Sequence, residues 1–449
     1  MRIVTICAVL FFVGIASTSA QTWRRLIDAP TYGFAANPQN PNTIIVGGLG
    51  RTLYRTEDAG KTWRPLYIDF PGGQSRYTNI YIHALDTNIV IAGGAALTID
   101  KSTDGGVNWV SSFGENNKPN FATPGETIIA DPHNPDIIYT GDNQSNRVFK
   151  TRDAGVTWDT VAKLDVPSLC TIAIHPDSGN ILLAGASSGI ILKSVDSGKT
   201  WRRTAHLRKF EDVEVPRIVF SQHNPQIAYL VLAYFYYKNR PSGGVYKTTD
   251  GGENWLPAGL QDTSFWTVAT RKFGSRDEVF VGGFSDVLSE DTATVILGPG
   301  LVRRSQDDGN SWVGVDKSIE WSPEGTSKNI WMMKFIGDTP ETEKLYMATE
   351  KGFFVLDAPS DIDENPAEIP EKEFAASITH GMLRVNIPSE FIRTPHYGVE
   401  MFDLTGEKVF ETNAHSSARE FVLPAMAKGV YCCQFTSREN KKSVVVINE

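Results

Sequence analysis

Thr56-Glu57-Asp58-Ala59-Gly60-Lys61-Thr62-Trp63 decides the architecture, because its pattern, Ser/Thr-x-Asp-x-Gly-x-x-Trp, occurs six times in 449 residues. The other copies run from Ser102 to Trp109, Thr151 to Trp158, Ser194 to Trp201, Thr248 to Trp255 and Ser305 to Trp312. Their aspartates, Asp58, Asp104, Asp153, Asp196, Asp250 and Asp307, recur at intervals of roughly 40–60 residues, the length of one four-stranded propeller blade. Asp and Ser/Thr side chains bond backbone groups inside tight turns. Gly supplies a backbone conformation that other residues reach only with strain, and the Trp brings a large ring to bury between neighbouring blades.

The phrase resembles the Asp-box, the bacterial neuraminidase repeat of sialidases, sortilin-type domains, xyloglucanases and photosystem assembly-factor propellers. The resemblance implies an all-β propeller and says little about activity. Chemistry does not need six identical copies of a residue, so the six aspartates are expected to be hairpin clips and not catalysts.

Around each copy the chain follows one rhythm. An apolar inner strand leads into a turn such as Asn37-Pro38, Asp131-Pro132 or His175-Pro176. A short apolar strand closed by Gly follows, as in 43–47, 137–141 and 181–185. Two fragments are incomplete. Thr22-Trp23-Arg24-Arg25-Leu26 looks like the end of a repeat without its beginning, and Trp331 to Leu356 has inner strands with no Asp-box after them. Together they make one blade, which predicts seven blades over 21–359, closed by the N-terminal strand. Such closure removes exposed sheet edges.

The first 20 residues read as a secretory signal peptide: a basic start at Arg2, an apolar run from Ile3 to Ile15, and small residues through Ala20. No transmembrane segment is expected. The net charge of −9 argues against a nucleic-acid partner. Of the four cysteines, Cys7 falls in the leader and Cys170 reads as a small buried hydrophobe. Cys432 and Cys433 are adjacent, which disfavours a disulfide between them. No cofactor is expected, and no Cys/His cluster has the spacing of a metal site.

Residues 360–372 are acidic and proline-containing and read as a linker. From 373 to 449 a new alternating pattern predicts a small C-terminal β-sandwich. Its hairpin Asp403-Leu404-Thr405-Gly406-Glu407-Lys408-Val409, its Leu423-Pro424 to Gly429-Val430-Tyr431 stretch and its last strand, Lys441 to Ile447, resemble the type A sorting domain of type IX secretion substrates of Bacteroidetes-type bacteria. Ala425 to Lys428 lengthens the Leu-Pro to Gly interval, and Asn448-Glu449 stand where a basic residue is common. The resemblance implies passage through the periplasm of a Gram-negative cell to the outer-membrane surface or beyond, with the secretion machinery as partner.

A propeller carries function on the rim built from connections between blades and between second and third strands. Two such loops are long. One, from Leu232 to Gly243 and centred on Tyr234-Phe235-Tyr236-Tyr237-Lys238-Asn239-Arg240, is aromatic and basic; the other, from Phe284 to Gly300, contains Asp286, Glu290 and Asp291. Aromatic faces beside polar groups suit sugars, so Tyr234, Tyr236, Tyr237 and Arg240, extended by Trp266, Trp321 and Trp331, are candidate contacts for a glycan or protein ligand. The alternative for each Trp is packing between blades. Hydrolysis of a polysaccharide would need two carboxylates about 5–10 Å apart; the candidates are Glu214, Asp286, Glu290, Asp291, Glu320 and Glu324. Sialidase activity is not expected. Only Arg51 and Arg55 precede the first repeat within 26–56, the family's Phe/Tyr-Arg-Ile-Pro motif is missing, and Val215-Pro216-Arg217-Ile218 is a scrambled echo elsewhere. Xyloglucanases use two facing propellers, and only one is read here. The sequence therefore favours a binding protein, with a glycoside hydrolase as the alternative.

Overall fold

A computed structural model describes the backbone of residues 22–50, 52–67, 76–95, 99–113, 125–207, 213–234, 236–237, 243–261, 263–289, 295–297, 301–316, 318–319, 327–337, 339 and 342–357. Beyond these it describes 375–379, 382–386, 396–402, 408–415, 420–423, 429–436 and 441–448. The stretches read from the sequence as a leader, 1–20, and a linker, 360–372, lie outside the described residues. The chain divides into two units, Met1–Ser360 and Asp361–Glu449.

The first unit is a seven-bladed β-propeller, each blade an antiparallel four-stranded sheet. The inner strands are Thr31–Asn37, Arg76–Ile82, Ile129–Ala130, Leu169–His175, Val213–Phe220, Phe265–Phe273 and Ile330–Ile336. The ring closes as the two incomplete repeats predict. Thr22–Ile27 is the outer strand of the seventh blade and pairs with Gly352–Asp357, Trp23 opposite Leu356. Second strands run further than the apolar stretches suggest, Asn40–Gly48 in the first blade and Ser178–Ala186 in the fourth. In the first blade the turn itself explains this: Asn37 Oδ1 accepts from the backbone N–H groups of Gln39 and Asn40, so pairing begins at the turn.

The six repeated turns share one hydrogen-bond plan. The Ser/Thr hydroxyl donates to the Asp Oδ1, at 2.7 Å from Thr151 to Asp153, and accepts from the Gly backbone N–H, at 2.9 Å from Gly155. The residue before the Trp supplies two more donors: Thr157 N–H to Asp153 Oδ1 at 2.8 Å and Thr157 Oγ1 to Oδ2 at 2.6 Å. Thr62, Asn108, Thr200, Asn254 and Ser311 repeat this in the other copies. That position, unspecified in the phrase, always holds a hydroxyl or amide donor. The residue before each Gly is also left-handed, even where it is Ala59, Ala154, Ser197 or Asp308. The carboxylate bonds outweigh a strain of about 1 kcal/mol at each of these positions.

The tryptophans then reach the preceding blade. Trp158 stacks on Phe113 at 5.0 Å and donates to Ser112 Oγ, Trp63 meets Phe353 edge-on at 5.7 Å, and Trp312 donates to the Ala258 carbonyl. Inner faces are filled by aliphatic side chains, as in the cluster of Leu183, Ile191, Val215, Ile218 and Leu230 that joins the fourth and fifth blades. Glycine near the end of a second strand permits this closeness. A Cβ on Gly185 would lie 2.6 Å from Val215 Cγ1 in the next blade.

The second unit contains two antiparallel sheets. One is Ala375–Thr379, Met382–Asn386 and Glu420–Val422; the other orders Lys408–His415, His396–Phe402, Gly429–Thr436 and Lys441–Asn448. Leu383, Val399, Met401, Leu423, Tyr431 and Cys433 are buried. Cys170, in the first unit, is a buried thiol outside any disulfide.

Candidate functional site

The inner strands all run from the rim of the inter-blade connections toward the face of the Asn/Asp-Pro turns and repeated hairpins. At the rim, the two long loops join. Tyr236–Tyr237 runs parallel to Asp286–Ser289, with Tyr236 opposite Leu288, and Val295–Leu297 completes a three-stranded sheet by pairing antiparallel to it. This sheet belongs to no blade, and it ties the fifth blade's loop to the sixth's. Arg240, Glu290, Asp291, Glu320, Trp321 and Glu324 lie outside the described residues, and for Tyr236, Tyr237 and Asp286 only the backbone is described.

Tyr234 is half-buried against the fifth-blade cluster, and its backbone N–H donates to Ser264 Oγ at 3.1 Å. Trp266 and Trp331 correct the sequence expectation. They are 2% and 8% exposed in a cluster with Tyr32, Ala233 and Phe284. Their rings meet edge-on at 5.3 Å, and Trp331 Nε1 donates to Glu350. Both start inner strands, so blade-to-blade contact seals their faces from any ligand. Arg76 caps this cluster, 5.1 Å from the Tyr32 ring centre and 5.9 Å from Trp331.

Glu214 is also placed differently from expectation, on the inner strand Val213–Phe220 and not on a loop. Its Oε2 is buried without a hydrogen-bond partner, and burial pushes the carboxyl up to about 7. A protonated carboxyl at neutral pH suits a general acid, but the described residues bring no second carboxylate beside it in an open cleft. They also contain no group of three His, Cys, Asp or Glu that could hold a metal.

Sequence reading missed the charges inside the channel. Glu126, just before the third inner strand, Arg217 on the fifth and Lys334 on the seventh converge there. Glu126 Oε2 is 2.8 Å from an Arg217 Nη and Oε1 is 2.5 Å from Lys334 Nζ. Burial alone would raise the Glu126 carboxyl, and the two cations more than offset it, holding it below the ordinary glutamate range. Burial lowers Arg217, against the pull of Glu126. Cavities of about 570 and 360 Å³ both include Glu126, Ile174, Lys334 and Phe335 in their walls, and they open beside Pro38, Pro132 and Pro176 on the turn face. The available signal was a charge within an apolar inner strand, as in Val215-Pro216-Arg217-Ile218 and Trp331-Met332-Met333-Lys334-Phe335.

No protein-family profile matches the chain. Xyloglucanase Xgh74A of Acetivibrio thermocellus is 24% identical over 293 residues, which cover 53% of this chain and 34% of that enzyme. The chain thus matches about a third of that relative's length. The structure of YCF48 bound to D1 peptide superposes with a TM-score of 0.53 at 16% identity, covering 75% of this chain and 96% of that one. An ancestral GH74 enzyme gives a TM-score of 0.53 at 14% identity, covering 95% of this chain and 63% of the enzyme. At these identities the structural likeness establishes the propeller fold and no activity.

Proposed function

We propose that this is a secreted or surface-delivered binding protein that recognises a glycan or protein partner through the rim loops of its fifth and sixth blades. The backbone pairing of those two loops into a separate sheet carries the reading. The sheet is separate from the seven blade sheets, and it holds Tyr236–Tyr237 and Asp286–Ser289 side by side at the rim. The peptide bound to the YCF48 propeller is compatible with a protein partner for this fold. Binding of the full chain to a panel of polysaccharides and surface proteins tests the proposal. Replacing residues 235–242 by a short Gly-Ser link should abolish capture while leaving the melting temperature within a few degrees. Retained capture by that variant would overturn it.

A glycoside hydrolase is the second reading, supported by the similarity to a xyloglucanase. The same panel decides it: release of reducing ends that disappears in Asp286→Ala or Glu290→Ala would replace binding by hydrolysis. The export route follows from the leader at 1–20 and the resemblance of 373–449 to a type A sorting domain. Deleting 373–449 should leave the protein in the periplasm, and surface delivery of the truncated chain would refute that route.

A further inference from the structure

The channel cluster holds two cations and one anion. Arg217 is 4% exposed, and its Nε–H finds no hydrogen-bond partner. Lys334 is the more open cation, with about a third of its side chain accessible. An unmet guanidinium donor and an excess positive charge in a buried setting are both costly without an anion. Arg217 and Lys334 both line the cavity of about 360 Å³, whose other side chains are mostly apolar, among them Ile129, Ile174, Phe220 and Phe335, and its volume falls within the size range of small-molecule sites.

We propose that the channel binds a carboxylate with an apolar body, entering from the turn face. The carboxylate accepts from Lys334 Nζ and from the Arg217 Nε–H, which a rotation of the guanidinium presents to the channel, while the apolar body lies against Ile129, Ile174 and Phe335. Glu126 holds both cations in place and, as an anion itself, limits the site to one negative group. Sugars, which need many polar partners, fit these walls poorly. A free carboxylic acid and an apolar C-terminal residue of a peptide present the same chemistry. The site lies on the opposite face from the paired rim loops and stands or falls independently of them.

Calorimetric titration of the full chain with 4-methylpentanoate, with its amide, and with a Leu-terminated tripeptide in free and amidated forms tests the proposal. The acid, the free-ended peptide or both should bind at least about tenfold tighter than the corresponding amide, the scale of one charge-assisted hydrogen bond. Preference for the acid assigns a small metabolite, and preference for the peptide a chain end. Lys334→Met should lose about tenfold or more, and Arg217→Lys, which keeps the charge but removes the Nε–H, should also weaken binding. Circular dichroism and the melting temperature establish that each variant is folded. Equal affinity for acid and amide, no binding of any probe, or full affinity in folded Lys334→Met would overturn the proposal.

Discussion

Replacing Trp23 by Ala tests how the ring is closed. Trp23 is 6% exposed, on the outer strand of the seventh blade, and packs with Val302, Ile319, Leu345 and Phe354. Its Nε1 donates to the Val315 carbonyl at 2.8 Å and its backbone N–H to Ser318 Oγ at 2.9 Å, so it clips the seventh blade to the sixth. Truncating a buried Trp costs about 3–5 kcal/mol. The orphaned Val315 carbonyl adds about 1 kcal/mol, for a total of roughly 5 kcal/mol. An unfolding entropy of about 2.1 cal/mol/K per residue over roughly 340 residues is about 0.7 kcal/mol/K, so the melting temperature should fall by about 7 °C. Trp23→Phe keeps most of the ring and loses the Nε1 bond, and should cost about 1–2 kcal/mol. Denaturant midpoints, followed by intrinsic fluorescence and circular dichroism, measure both. Trp23→Ala should also raise aggregation, since a loosened strand bares the Gly352–Asp357 edge. A loss below about 1 kcal/mol in Trp23→Ala would refute the closing role.

Gly185→Ala should destabilise by about 1–3 kcal/mol in the same unfolding assay, because its Cβ would press on both Val215 and Thr171; an unchanged midpoint would refute the close-packing account. Asp104, Asp153, Asp196, Asp250 and Asp307 are held down to about 2. At Asp104, Asp196 and Asp307 the turn hydrogen bonds are the largest cause; at Asp153 and Asp250 burial pulls upward and the same bonds overcome it. Their contribution is complete above the unfolded carboxyl value of about 4 and is lost as pH falls toward 2. Wild type should therefore lose more stability than Asp153→Asn over that window, and parallel pH curves would count against the clips. Glu214 has the opposite sign, since its folded value is raised to about 7. Stability should fall as pH rises from about 4.5 to 7, by an amount on the order of 3 kcal/mol. Glu214→Gln should thus be the more stable protein at pH 8 and equal to wild type at pH 4, and no gain at pH 8 would refute its burial as a lone carboxyl.

The legible parts of the sequence were those whose physics is local. The hairpin clip closes within eight residues, Thr151 to Trp158, so its donors and acceptor are all in one phrase. The two half-repeats could be joined because each lacked what the other supplied, and Trp23 opposite Leu356 is the result. Trp266 and Trp331 were harder. Position at a blade junction allows either a ligand platform or a seal, and the contacts of Trp331 with Trp266 and Phe284 of the sixth blade and Tyr32 of the first decide for the seal. Glu214 read as a loop charge, although the alternation of Val213-Glu214-Val215 fits the inner strand on which it lies; its burial comes only from the neighbouring blades.

By itself, then, the sequence determined the all-β architecture, the repeat and the seven-blade closure, since short-range hydrogen bonding and strand periodicity repeat with the chain. Only the tertiary structure decided what meets inside the ring. Arg217 lies 91 residues after Glu126 and Lys334 a further 117 after Arg217, yet they share one channel. The loops at Tyr236–Tyr237 and Asp286–Ser289 likewise pair only because adjacent blades bring them together. Circular closure converts distance along the chain into contact across an axis, and a pattern read along the chain carries no record of that axis.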